Sequence, residues 1–211
     1  MDQPLAVVIG AGPGIGAAAA RRFLAEGCRV AAVVRPGMDL DLPPACLQVR
    51  ADLAREGVLA PALAAVEAWG GLPSLVVYNA SAGAPGRAEE LPEARALADL
   101  RVNVLAPLEA GRWAARAMRE LGGGTLVFTG GGLALAPKAG MASACLGKAA
   151  LRSLALSFAH ELEPEGIHAA TLTVCGFVQP GTALSPDRVA EALWALHLQP
   201  RGAWDSEDVL P

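Results

Sequence analysis

The residues with the plainest capacity for chemistry form one loop near the start of the chain, Gly10-Ala11-Gly12-Pro13-Gly14-Ile15-Gly16. An apolar run over 5–9 leads into it and a helical pattern over 17–26 leads out. At such a junction Gly10 allows a tight turn, Gly14 lets the backbone approach a pyrophosphate, and Gly16 permits close packing of helix on strand. The free N–H groups and positive dipole end of the helix, around Gly12, Gly14 and Ile15, then serve the phosphates. A ligand-free Gly-rich turn would use the same letters, but the strand before and the helix after favour a bound dinucleotide. Arg35 closes a second apolar run over 29–34. Neither Val33 nor Val34 offers a carboxylate for a ribose 2′-hydroxyl, and an Arg suits a 2′-phosphate. NADP is therefore expected over NAD.

These groups need a scaffold, and the rest of the pattern supplies one. Strands are predicted over 5–9, 29–34, 46–49, 75–78, 125–129 and 167–174, with a short edge strand within 203–210. Helices are predicted over 17–26, 54–69, 92–120, 139–162 and 186–198, the last with Ser185 as N-cap and Pro186 at its first position. Gly and Pro clusters at 70–73, 122–124 and 130–132 separate them. Alternation of this kind implies parallel βαβ units and an α/β doubly wound sheet, a Rossmann fold in a single domain over 1–211.

Composition agrees. Hydrophobic residues make up 53% of the 211 and aromatic ones only 4%, so the core is one of small aliphatic side chains. A net charge of -4 with no basic run excludes nucleic acid as a partner. The longest uncharged stretches, 3–20 and 121–137, are broken by Gly and Pro and read as strands entering loops, not membrane spans. No basic segment precedes the first apolar run, so no signal peptide is expected. Cys28, Cys46, Cys145 and Cys175 lack CxxC spacing and read as reduced thiols of a cytoplasmic protein. No His, Cys and Asp cluster has metal-ligand spacing, so no metal is expected.

Together the motifs resemble those of the short-chain dehydrogenases/reductases. Gly10, Gly14 and Gly16 match that family's glycine spacing, with Ile9 where Thr is usual. Asp52-Leu53 resembles the adenine-contacting pair, and Asn79-Ala80-Ser81 the family's Asn-Ala-Gly. Asn103 falls on the catalytic Asn of the family and Lys148 on the Lys of Tyr-x-x-x-Lys. The likeness covers essentially the whole chain. It implies that Lys148 binds the nicotinamide ribose, that Asn103 holds a relay water, and that a carbonyl or alcohol is the substrate.

The departures lie on the substrate side. The family's Tyr falls on Ala144 and its Ser near Gly131, so the proton donor and the carbonyl-orienting hydroxyl are missing. Cys175-Gly176 replaces Pro-Gly, and the substrate-covering segment is short, with Gly181 close to Ser185. In this the chain is similar to an atypical subgroup whose Tyr is replaced. Ser143 and Cys145 flank Ala144 but point elsewhere on a helix. Tyr78 reads as core, and Thr129 is a weak further source of a hydroxyl. His160, His168 and His197 read as structural. Three functions follow: an NADP-dependent oxidoreductase with a degenerate site, using Tyr78, Thr129 or a water on Asn103; a non-redox enzyme on this fold; or an inactive scaffold or sensor subunit. The resemblance also implies a homodimer or homotetramer through the two long helices.

Overall fold

The computed structural model describes residues 3–211. Seven parallel strands form one sheet in the order β3-β2-β1-β4-β5-β6-β7. They are β1 Leu5–Ile9, β2 Arg29–Val34, β3 Cys46–Arg50, β4 Pro73–Tyr78, β5 Gly124–Gly131, β6 Ile167–Val174 and β7 Glu207–Leu210. The central strands are buried on both faces, which is why they read as unbroken apolar runs and not as alternating ones.

Two helical layers cover the sheet. On one face lie α1 (Ile15–Ala25) and α6 (Pro186–His197), where Phe23 meets Trp194 with ring centroids 5.8 Å apart. On the other lie α2 (Leu59–Gly70), α4 (Ala106–Leu121) and α5 (Ala142–Leu162). The small residues expected of this core let helices approach: a Cβ on Gly111 of α4 would lie 2.5 Å from the Phe158 ring of α5. None of these described helices is long and apolar enough to cross a membrane.

Most predicted elements form, with instructive differences. The helix expected over 92–120 is three pieces: α3 (Glu93–Leu100), a π-helical turn Arg101–Leu105, and α4. The turn coincides with two long-range bonds. Tyr78 Oη donates to the Val102 carbonyl, and the Asn103 amide bonds the backbone of Ala82. Local pattern shows only helical periodicity, whereas the widened turn answers to β4 and the loop after it. The helix expected from 54 starts at Leu59, because 52–54 form a turn in which the Asp52 carboxylate accepts from the Ala54 N–H at 3.2 Å. The helix expected from 139 starts at Ala142. Residues 139–141 instead lie beside the loop after β4, where Gly86 donates its N–H to the Gly140 carbonyl at 2.7 Å. The edge strand runs parallel to β6.

Candidate functional site

The sheet order reverses direction between β1 and β4, and a cleft of about 1240 Å³ opens over the carboxyl ends of the strands there. Gly10 ends β1 with φ 78°, and a Cβ on it would lie 2.3 Å from that of Ala80 after β4. Both the backbone angle and the close approach demand glycine. Asn79 ties the two strand ends together. Its Nδ2 donates to the Gly10 carbonyl at 3.1 Å and its N–H to the Ile9 carbonyl at 2.8 Å. Its Oδ1 is buried with no partner among the described residues. A buried acceptor left open beside a cleft fits a ligand hydroxyl.

Gly12 and Gly14 border the cleft, yet a Cβ on either would meet no atom within 4 Å. No protein contact requires their bareness, whereas a phosphate held against the backbone does. Gly16 differs: a Cβ there would lie 2.6 Å from the Ala11 Cα, so the tight contact is helix against loop and not helix against strand as expected. The helix α1 begins with neither a side-chain cap nor an acidic residue in its first turn, which leaves its positive end facing the cleft. Ile15, Asp52, Leu53 and Ala80 line the same half. Exposed Arg35 borders it from the end of β2 and pairs with no carboxylate among the described residues. A dinucleotide's phosphates, ribose hydroxyls and 2′-substituent thus each have a matching group.

Beyond this half the cleft reaches β5 and α5. Lys148 borders it and donates from Nζ to the Thr129 carbonyl at 2.8 Å. Burial lowers its pKa from 10.5 to about 8. Gly131 is in extended backbone, and a Cβ there would rest 3.4 Å from Lys148 Cε, an ordinary contact. A serine would fit at 131. Ala144 is different, because a Cβ on Gly83 would stand 2.8 Å from the Ala144 Cβ. The backbone after β4 thus packs directly against Ala144, the position compared above with the family's Tyr.

Of the three residues weighed as proton sources, Tyr78 and Asn103 are occupied elsewhere. Tyr78 is fully buried, spends its hydroxyl on Val102, and has its pKa pushed well up by burial. Asn103 is 1% exposed, and its amide is taken at both ends by Ala82, at 3.0 and 2.7 Å. Its side chain shapes the segment after β4 and does not border the cleft. The Thr129 hydroxyl is buried without a partner, and the residue is 4% exposed.

Sequence reasoning missed one cluster. Asp99, 4% exposed, accepts from Ser143 Oγ at 2.6 Å and from Arg95 Nε at 3.0 Å. Burial raises its pKa, but these donors and the Ala84 N–H outweigh that and hold it below the usual carboxylate value. The available signal was an Asp four residues after an Arg on a short helix, too common a pair to single out. Cys175 was noted as a replacement; it is exposed and lines the cleft at the end of β6.

Fold and site define a nucleotide-binding Rossmann protein whose glycine loop, crossing Asn and half-buried Lys share one cleft. The chain belongs to the short-chain dehydrogenase family, whose model matches residues 4–190. A short-chain dehydrogenase from Rhodopseudomonas palustris is 30% identical with a TM-score of 0.86, covering 99% of this chain and 98% of its own. A metagenomic short-chain oxidoreductase in complex with NADP is 26% identical with a TM-score of 0.85, covering 99% and 97%. The cyclic-di-GMP-binding biofilm dispersal mediator protein of Escherichia coli is 31% identical over 175 residues, 83% of this chain and 71% of that protein.

Proposed function

We propose that this protein binds NADP(H) and is a short-chain dehydrogenase/reductase of the atypical kind, lacking the family's Tyr and Ser, that acts on a carbonyl or alcohol group of a small molecule. The observation that carries this reading is the continuity of the cleft: the cradle of Gly12, Gly14 and the orphaned Asn79 Oδ1 opens into the same space as Lys148. The nicotinamide supplies or accepts the hydride when bound. The chain's own groups do the rest. Gly10 to Gly16 and the start of α1 hold the pyrophosphate, Arg35 the 2′-phosphate, Asp52 and Leu53 the adenine end, and Asn79, Ala80 and Lys148 the nicotinamide half. Asn103 positions the backbone at Ala82. With Tyr78 and Asn103 engaged elsewhere, Lys148 is the titratable group beside Gly131 that can hold a proton near a substrate oxygen.

A second reading, nucleotide binding without redox turnover, is favoured by one observation: Gly83 covers Ala144, where the proton donor would stand. The Escherichia coli relative, named for cyclic-di-GMP binding, shows that a family relative can be described by its ligand. In either case the protein is proposed to be cytoplasmic and to assemble through α4 and α5.

Calorimetric titration with NADPH, NADH and cyclic-di-GMP tests the assignment. NADPH is expected to bind about tenfold or more tightly than NADH, and Arg35→Gln to remove that preference while leaving NADH affinity unchanged. Absence of affinity for both dinucleotides overturns the proposal. Binding of NADPH with no oxidation across a panel of carbonyl compounds selects the second reading.

A further inference from the structure

The outer end of the cleft has a chemistry of its own. Its walls are apolar: Leu133, Leu135, Met141, Phe177 and Val178 border it. Phe177 is 80% exposed and Leu135 48%, more than side chains of this size need be unless something covers them. The charged residues on the same stretch are Arg95, Lys138 and Lys148 against Asp99, three cations to one carboxylate.

The carboxylate is not free to receive a ligand cation, since it is buried and bonded to Ser143 and Arg95. Lys148 is spent on the Thr129 carbonyl, but Arg95 and Lys138 keep donors unspent. Arg95 reaches Asp99 through Nε alone, which leaves both terminal nitrogens of its guanidinium without a partner among the described residues, and its side chain is 49% exposed. Lys138 is exposed and its ammonium joins no ion pair among the described residues, while its backbone N–H is anchored on Cys145 Sγ at 3.4 Å. The bridge between Gly86 and Met141 holds the loop after β4 against the approach to α5. The segments that carry the two cations are therefore fixed, and the heads are unspent.

We infer that this end of the cleft binds an amphipathic anion, its apolar chain or ring against Leu135, Met141 and Phe177 and its carboxylate or phosphate received by Arg95 and Lys138. This rests on the reading of the cleft given above and names the class of substrate for the same site.

Calorimetry with octanoate, octyl phosphate, 1-octanol and octylammonium decides it, on protein with and without saturating NADPH. The two anions are expected to bind about tenfold more tightly than octanol, and octylammonium not at all. Raising the salt is expected to weaken the anions and leave octanol unchanged. Arg95→Gln and Lys138→Gln are each expected to weaken octanoate about threefold or more, with NADPH affinity unaltered. Should Arg95→Gln unsettle Asp99 and fail to fold, Lys138→Gln alone carries the test. Octanol binding as tightly as octanoate, octanoate affinity unmoved in Lys138→Gln, or no binding of either anion up to about 10 mM overturns the inference. NADPH affinity is read in a separate titration, so failure of the nucleotide assignment is distinguishable from failure of this one.

Discussion

Lys148 carries the sharpest conflict between stability and function in the molecule. Its ammonium is held in a desolvated place by one carbonyl and has no counter-ion among the described residues, so the fold disfavours its charge. The folded pKa, about 8, lies below the ordinary 10.5. Between these values the unfolded chain binds the proton more strongly, so stability rises with pH from about 8 to 10.5 and the penalty is full below 8. Lys148→Met is expected to stabilise the nucleotide-free protein at pH 7 by up to about 3 kcal/mol and to remove most of that pH dependence. It is also expected to weaken NADPH binding. Urea denaturation at pH 7 and at pH 9.5, beside a titration, reads all three effects. Gly131 and Ala144 contrast with Lys148, since nothing in the packing around Gly131 forbids a side chain, whereas Ala144 lies under Gly83.

At the scale of elements, the edge of the sheet depends on a polar anchor. Strand β7 is four residues long and pairs only with β6. Arg152 of α5 grips Glu207 with a bidentate pair, and Thr173 Oγ1 of β6 donates to the same carboxylate at 2.7 Å. The Arg152 bond, opposed in part by burial, holds the Glu207 pKa below 4.5. A depressed carboxylate contributes stability above its unfolded value, and that contribution is lost as pH falls through the folded one. Arg152→Met leaves a mostly buried charge with a single donor and is expected to cost about 1–3 kcal/mol at pH 7. Thermal unfolding should show a smaller gap between wild type and variant at pH 3 than at pH 7. The same anchor holds the end of β6, where Cys175 meets the cleft. The segment between β6 and α6 that follows is short and carries the exposed Phe177 into the open cleft.

Across the whole molecule the groups whose shifts act between acid and mildly alkaline pH, Glu207, His197 and Lys148, pull in one direction. His197 of α6 bonds Thr125 of β5 at 2.9 Å and packs on Trp194, while His168 of β6 donates to the Asp205 carbonyl and stacks on Trp204. Burial, with His168 nearby, pushes the His197 pKa below 6.5. A depressed histidine is neutral in the fold, so its contribution is full above 6.5 and is lost as pH falls through the folded value. The protein is therefore expected to be steadier at mildly alkaline than at mildly acid pH. His197→Gln should flatten the fall in Tm between pH 7 and pH 5 relative to wild type; an unchanged slope would assign the fall to other groups.

Much of this was legible in the chain as written. The alternation of apolar runs with helical periods gave the doubly wound sheet. The spacing of Gly10, Gly14 and Gly16 pointed to the loop that borders the cleft, but the close approach of Gly10 to Ala80 joins segments far apart in the chain. The two absences, at Ala144 and Gly131, are likewise plain in the letters. What the letters could not carry was the direction of side chains that meet across the fold. Asn103 turned away to bond Ala82 and Tyr78 to bond Val102, partners separated by 21 and 24 residues. Arg95 and Lys138 came to one rim only because α3 and α5 pack together around Asp99 and Ser143. Local chemistry is set by neighbours in sequence, but which groups face a ligand depends on which are already spent on one another, and that is decided only when distant segments meet.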